Sequence, residues 1–142
     1  MCKRVLQNMI GMLLLVLVSS CGATGASTQS VGSKADVQIR LADFSIASSR
    51  TTLTPGVPYH LVVTNAGTTV HELMLMPPMA MGSMPMDQMD KLAIVAISNV
   101  APGTTKTLDV TIPSSATTGP LEFSCHLPGH YEAGMKLAVS VQ

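Results

Sequence analysis

Residues 121–141 read LEFSCHLPGHYEAGMKLAVSV. Both ends of this stretch alternate apolar with polar residues. Leu121, Phe123 and Cys125 fall on one face of the first half, and Met135, Leu137, Val139 and Val141 on one face of the second. A period of two is the signature of a β-strand with one buried side. Between the two halves lie Pro128, Gly129 and Gly134, residues that make turns. The stretch is therefore two strands joined by a loop. That loop carries a thiol, Cys125, then an imidazole five residues on, His130, then a thioether five further on, Met135. Together they are a soft metal-ligand set.

The same period runs upstream. Val37, Ile39 and Leu41 alternate with Gln38 and Arg40, and Leu108, Val110 and Ile112 with Thr107, Asp109 and Thr111. Further strand candidates lie around residues 51–54, 59–64, 70–76 and 92–98. Pro55-Gly56, Asn65-Ala66-Gly67, Pro102-Gly103 and Gly119-Pro120 separate them as turns. Regular short strands predict an all-β domain over residues 36–142, a sandwich or barrel, with one face of each strand buried between packed sheets. A short helix around 87–91 is only weakly signalled.

His71 supplies a fourth donor from a distant strand. Two imidazoles and a thiolate in a plane, with a weak axial methionine, are the ligands of a type 1, or blue, copper site. The strand phase agrees: His71 shares a face with Leu73 and Leu75, Cys125 with Phe123, and Met135 with Leu137. Zinc would accept the cysteine and histidines, but thioether is a poor zinc ligand. A binuclear copper loop would need a second cysteine between Cys125 and His130. A multicopper oxidase would need His-x-His pairs, and neither feature is present. An enzyme is therefore not expected.

FSCHLPGHYEAGMKLAVSV resembles the last ligand hairpin of the cupredoxins, the plastocyanin and azurin family, and VVTNAGTTVHELML resembles their upstream ligand strand. The resemblance covers about residues 36–142. It implies a Greek-key β-sandwich, one type 1 copper, and His71, Cys125, His130 and Met135 as its ligands. The C-x4-H-x4-M spacing is longer than that of plastocyanin and similar to that of rusticyanin-like members. Plastocyanin and azurin carry an asparagine after the first histidine ligand, which helps tie the ligand loops together. This chain has Glu72 there, a departure that bears on the reduction potential.

The N-terminus reads as an address. Lys3 and Arg4 precede an apolar run over residues 9–18, too short to span a bilayer at ~20 residues per helix. Val18-Ser19-Ser20-Cys21 resembles a bacterial lipobox, which implies a signal peptide at 1–20, lipidation of Cys21, and a tether outside the cytoplasm: periplasmic, or on the outer face of a bacterial membrane. Residues 21–35 are rich in Gly, Ser, Thr and Ala, as in a flexible linker. Cleavage would also remove Cys2 and leave Cys125 as the one thiol not carrying lipid. A lone thiol in an oxidising compartment needs metal or burial to protect it.

Composition narrows the partners. Lysine plus arginine and aspartate plus glutamate are both 8, and aromatics make up 3% of the 142 residues. That leaves no basic surface for phosphates and little for base stacking, so no nucleic acid is expected. The expected partner is a redox protein or a copper donor or acceptor, and the domain is expected to be monomeric.

The chain also holds 11 methionines. Seven fall in one run: Met74, Met76, Met79, Met81, Met84, Met86 and Met89. Two readings stand: an apolar flap over the copper rim, or a second, labile Cu(I) or Ag(I) site with a role in copper handling. Strand phase points Met74 and Met76 away from the core, and Pro77, Pro78, Gly82 and Pro85 predict a loop for the remainder. By the same phase His126 is expected on the surface or rim. His60 is expected to be structural, and Glu72 and Glu132 to be solvated or to support the ligands.

Overall fold

A computed structural model describes residues 34–79, 85–117 and 120–142. The predicted signal segment, Cys21, nearly all of the linker, Met81 and Met84 lie outside these residues. Among the described residues the chain forms β1 (Ala35–Ala42), β2 (Ser45–Ser48), β3 (Thr52–Leu53), β4 (Pro58–Asn65), β5 (His71–Met76), α1 (Met86–Leu92), β6 (Val95–Val100), β7 (Thr105–Thr111), a 3-10 turn (Ser114–Thr117), β8 (Leu121–Ser124) and β9 (Lys136–Val141). No described helix is long and apolar enough to cross a membrane.

The strands make two sheets, in the orders β2-β1-β4-β7 and β3-β9-β8-β5-β6. β1 pairs parallel with β4, and β3 parallel with β9; the other pairs are antiparallel. The predicted alternation fills the space between the sheets. Val37, Ile39 and Leu41 of β1 and Leu61 and Val63 of β4 join Leu73 and Leu75 of β5, Phe123 and Val139 in one core cluster. Cys125 and Met135 belong to the same cluster, so the ligand loop rises directly from packed core.

The second sheet departs from simple alternation. Every residue of β5 and of β8 is buried, on both faces. Over β5 the outer face is covered by α1, whose Met89 packs on Met74 and Met76; the sequence signalled this helix weakly, and it continues through Met89 rather than staying a loop. Pro85 precedes the helix, Asp87 sits in its first turn and Lys91 in its last, an order that suits the helix dipole. Met74, Met76 and Met89 form a second, separate buried cluster there, with Met79 and Ala93 packed against it. Met74 and Met76 do point away from the main core, as their phase requires, but into this cluster rather than into solvent.

Candidate metal centre

The site stands at one end of the sandwich. His71 is the first residue of β5, and its pairing with β6 shifts register between His71 and Leu73. The extra residue lies on β6, where Asn99 adopts a left-handed φ of 55°. Asparagine tolerates that conformation, and such a bulge re-aims the side chains beside it. Asn65, fully buried, fixes the approach to β5. Its side-chain amide donates to the carbonyls of Thr69 (2.7 Å) and Val100 (2.8 Å), and its side-chain oxygen accepts from Gly67 N–H (2.8 Å).

The other donors come from the loop between β8 and β9. Cys125 N–H donates to Met135 carbonyl (3.1 Å), and Met135 N–H donates to His130 carbonyl (3.0 Å). Gly129 and Gly134 hold positive φ values of 83° and 100°, which a side chain would strain. Backbone hydrogen bonds therefore lock the three loop donors to one another.

The ligand atoms of His71, Cys125 and His130 lie within 4.8 Å of one another. His71 Nδ1 is 3.2 Å from His130 Nδ1, and Cys125 Sγ is 3.4 Å from the same His130 atom. Metal–nitrogen bonds of ~2.0–2.1 Å and metal–thiolate bonds of ~2.3 Å would meet across these edges at about 100°, an angle between donors that one ion can satisfy. Cys125, His71 and Met135 are fully buried and His130 is half-buried. Burial pushes the Cys125 thiol up, and N–H bonds to it from Glu72 and Leu127 work against that shift. The donor set, one thiolate, two imidazoles and an adjacent thioether, suits a soft or borderline metal.

No family model and no curated relative matches the sequence. Among solved structures, the chain is similar to reduced auracyanin from Roseiflexus castenholzii (20% identity, TM-score 0.55, 78% of this chain and 99% of that one). It is also similar to auracyanin A from Chloroflexus aurantiacus, titled a "blue" copper protein (18%, 0.54, 75% and 99%), and to an azurin from Methylomonas sp. strain J (14%, 0.55, 76% and 98%). The fold is that of the cupredoxins.

Within this cupredoxin fold, Glu72 takes up the tying role that its position suggests. It is 5% exposed, not solvated, and its Oε1 accepts the His126 N–H at 2.9 Å. One bond thus joins β5, just after His71, to the loop just after Cys125. Burial raises the Glu72 carboxyl, and the His126 N–H opposes that. His126 is likewise not a rim residue. It is fully buried, hydrogen-bonded to Ser124 Oγ (2.9 Å) and stacked on Tyr131 at 4.6 Å between ring centroids. Strand phase pointed it outward correctly, but the outer face there is covered. His60 lies on the surface and pairs with Asp109 (2.7 Å), while Glu132 is exposed.

Two residues that sequence reasoning missed come from the turn between β1 and β2. Asp43 Oδ1 accepts from His71 Nε2 at 3.2 Å. The same carboxylate takes Thr68 Oγ1–H (2.7 Å) and the Thr68 N–H (3.0 Å). The Thr68 hydroxyl first, then the Thr68 amide, holds Asp43 well below the usual carboxylate range. With Nε2–H given to Asp43, Nδ1 is left as the free lone pair facing Cys125 and His130. Phe44, 51% exposed at a left-handed φ of 62°, sets its ring edge-on to His130 at 5.5 Å. One turn thus touches both imidazoles.

Asp43→Asn keeps an acceptor for Nε2–H but removes a negative charge beside His71. A reduced metal carries less positive charge, so the variant is expected to raise the reduction potential. Solvent screens this partly exposed carboxylate, so the shift should be modest, on the order of tens of millivolts. Voltammetry of the copper-loaded variant beside the parent checks the sign.

Proposed function

We propose that the chain is a single-electron carrier with one type 1 copper that His71, Cys125 and His130 would hold, with Met135 as a weaker thioether donor. The observation that carries this reading is the meeting of Cys125 Sγ and the two Nδ1 atoms at a buried strand end, edges of 3.2 and 3.4 Å. The structural neighbour auracyanin A, a "blue" copper protein, supports it. Copper held by this set would be able to pass between Cu(I) and Cu(II), since thiolate and thioether suit the first and imidazole suits both.

The chain's own part is to hold the ligands still. Asp43 fixes the His71 ring, Glu72 fixes the Cys125 segment, and loop hydrogen bonds fix His130 and Met135. A ligand set that does not move when one electron arrives or leaves has little reorganisation to overcome. Metal binding would need the Cys125 thiolate, and burial makes that thiol harder to ionise without metal. His130 is the half-buried ligand, so its ring edge, beside Phe44, is the shortest route for an electron to a partner. The site serves transfer and not catalysis.

The anchor completes the proposal. The lipobox-like Val18-Ser19-Ser20-Cys21 supports a lipid tether on the outer side of a bacterial membrane, with residues 21–35 as spacer and residues 36–142 as the working domain. The partner is a redox protein reached from that tether. Voltammetry of the copper-loaded protein is expected to give one reversible one-electron wave. An irreversible wave with loss of metal on reduction would count against a carrier.

A further inference from the structure

The methionine run is not absorbed by the centre above. Met74, Met76 and Met89 are 1%, 0% and 1% exposed and form a cluster of their own beneath α1. Next to it is a carboxylate with an unmet need. Glu122 is 6% exposed, and its Oε1 has no hydrogen-bond partner. Met76 and Glu122 stand directly opposite on β5 and β8, and Met74 is two residues along the same face. Directly opposed residues in an antiparallel pair present side chains to one side of the sheet. The Glu122 carboxylate therefore shares the covered outer face with the methionines.

The Glu122 Oε1 atom lies inside the protein with no donor to meet it. A buried carboxylate oxygen without a donor is costly, and a cation is one of the few groups that offsets it. The cation's chemistry is set by its neighbours. Three thioethers are soft, neutral donors, which disfavours zinc, magnesium and calcium. One carboxylate supplies one negative charge, enough to neutralise a monovalent ion.

We propose that Met74, Met76, Met89 and Glu122 form a second metal site, distinct from the His71–Cys125–His130 centre, that takes one soft monovalent cation, Cu(I) or Ag(I). It needs no redox step and no thiol, so it does not rest on the type 1 reading. It gives the chain a place to hold copper in its reduced form on the outer side of the second sheet. Glu122 is the residue that distinguishes this site from an ordinary apolar cluster. It lies on the methionines' side of the sheet, on a buried surface where a leucine would pack at lower cost.

The test uses the full chain in detergent micelles, labelled at methionine methyl carbons, with Cys2→Ser, Cys21→Ser and Cys125→Ser to remove competing thiols. Ag(I) is the probe and NMR the readout. The methyl signals of Met74, Met76 and Met89 are expected to shift together and saturate at one Ag(I) per chain. Met135 reports separately on the other centre. Glu122→Gln, close in shape, is expected to weaken binding at least about tenfold, the scale on which single metal partners are felt. Met76→Leu is a second variant that keeps the apolar packing and is expected to do the same. Shifts confined to other methionines, no binding, or unchanged affinity in both variants would overturn the site.

Discussion

Gly67→Ala is expected to weaken Cu(II) binding about 10- to 100-fold, the range seen when the group behind a metal-bound histidine is lost. The reason is room. A methyl at residue 67 would sit 2.9 Å from His71 Nε2 and 3.0 Å from the Asp43 backbone nitrogen, and closer still to Asp43 Oδ1. It would enter the space through which His71 reaches Asp43. The backbone cannot step aside easily, because Gly67 N–H is held by Asn65 and the neighbouring Thr68 by Asp43. Either His71 turns or the β1–β2 turn moves away. Stability should also fall, by about 1–3 kcal/mol for an overpacked site. Competition titration against a Cu(II) chelator and urea unfolding measure the two effects. An affinity equal to the parent's would show that Asp43 does not orient His71.

Glu72 separates a hydrogen bond from a charge. Glu72→Leu strands the His126 N–H, which is buried and accepts no substitute from leucine. An orphaned buried donor costs roughly 1–3 kcal/mol. Removing the carboxylate also relieves a desolvation that already raises its pKa, so the net loss should lie toward the lower end of that range. Glu72→Gln keeps an acceptor and removes the charge. The expected order of stability at neutral pH is therefore Gln equal to or above Glu, and both above Leu. The sign for the parent is that of an acid with a raised folded-state pKa: its ionisation costs stability as pH rises through the unfolded value, and the Gln variant should lose that dependence. Both variants should raise the reduction potential, since both delete a negative charge next to His71. Denaturant melts over a pH series, with voltammetry, test each part. A Leu variant as stable as the parent would remove Glu72 from its tying role.

What could be seen in the sequence was what repeats locally. Period two located β1, β4, β5, β7, β8 and β9, and placed His71, Cys125 and Met135 in phase with the core, because each strand carries its own apolar face. β2 escaped, since Ser45–Ser48 is four residues long with one buried apolar side chain, Ile46. The Asp43–Phe44 turn escaped with it: its contacts with His71 and His130 span distant parts of the chain, and nothing local records them. His126, Glu72 and Met74 show the limit of phase. Alternation says which face a residue points to, not whether that face is wet. Over β5 it is covered by α1, a helix of seven residues too short to show a clear period, and at His126 by the Tyr131 ring. Glu122 was invisible for the same reason, and it is the residue on which the second metal site turns.

The proposed copper–thiolate bond at Cys125 would form where the donor atoms of two imidazoles already lie within 4.8 Å of the sulfur. Cu(II) titration of the purified protein, followed by absorption spectroscopy, tests it most directly. One equivalent of Cu(II) is expected to produce an intense visible thiolate-to-copper band that saturates there and is absent in Cys125→Ser. A parent protein that binds Cu(II) with no such band, or a band that survives in Cys125→Ser, would mean that Cys125 is not a copper ligand.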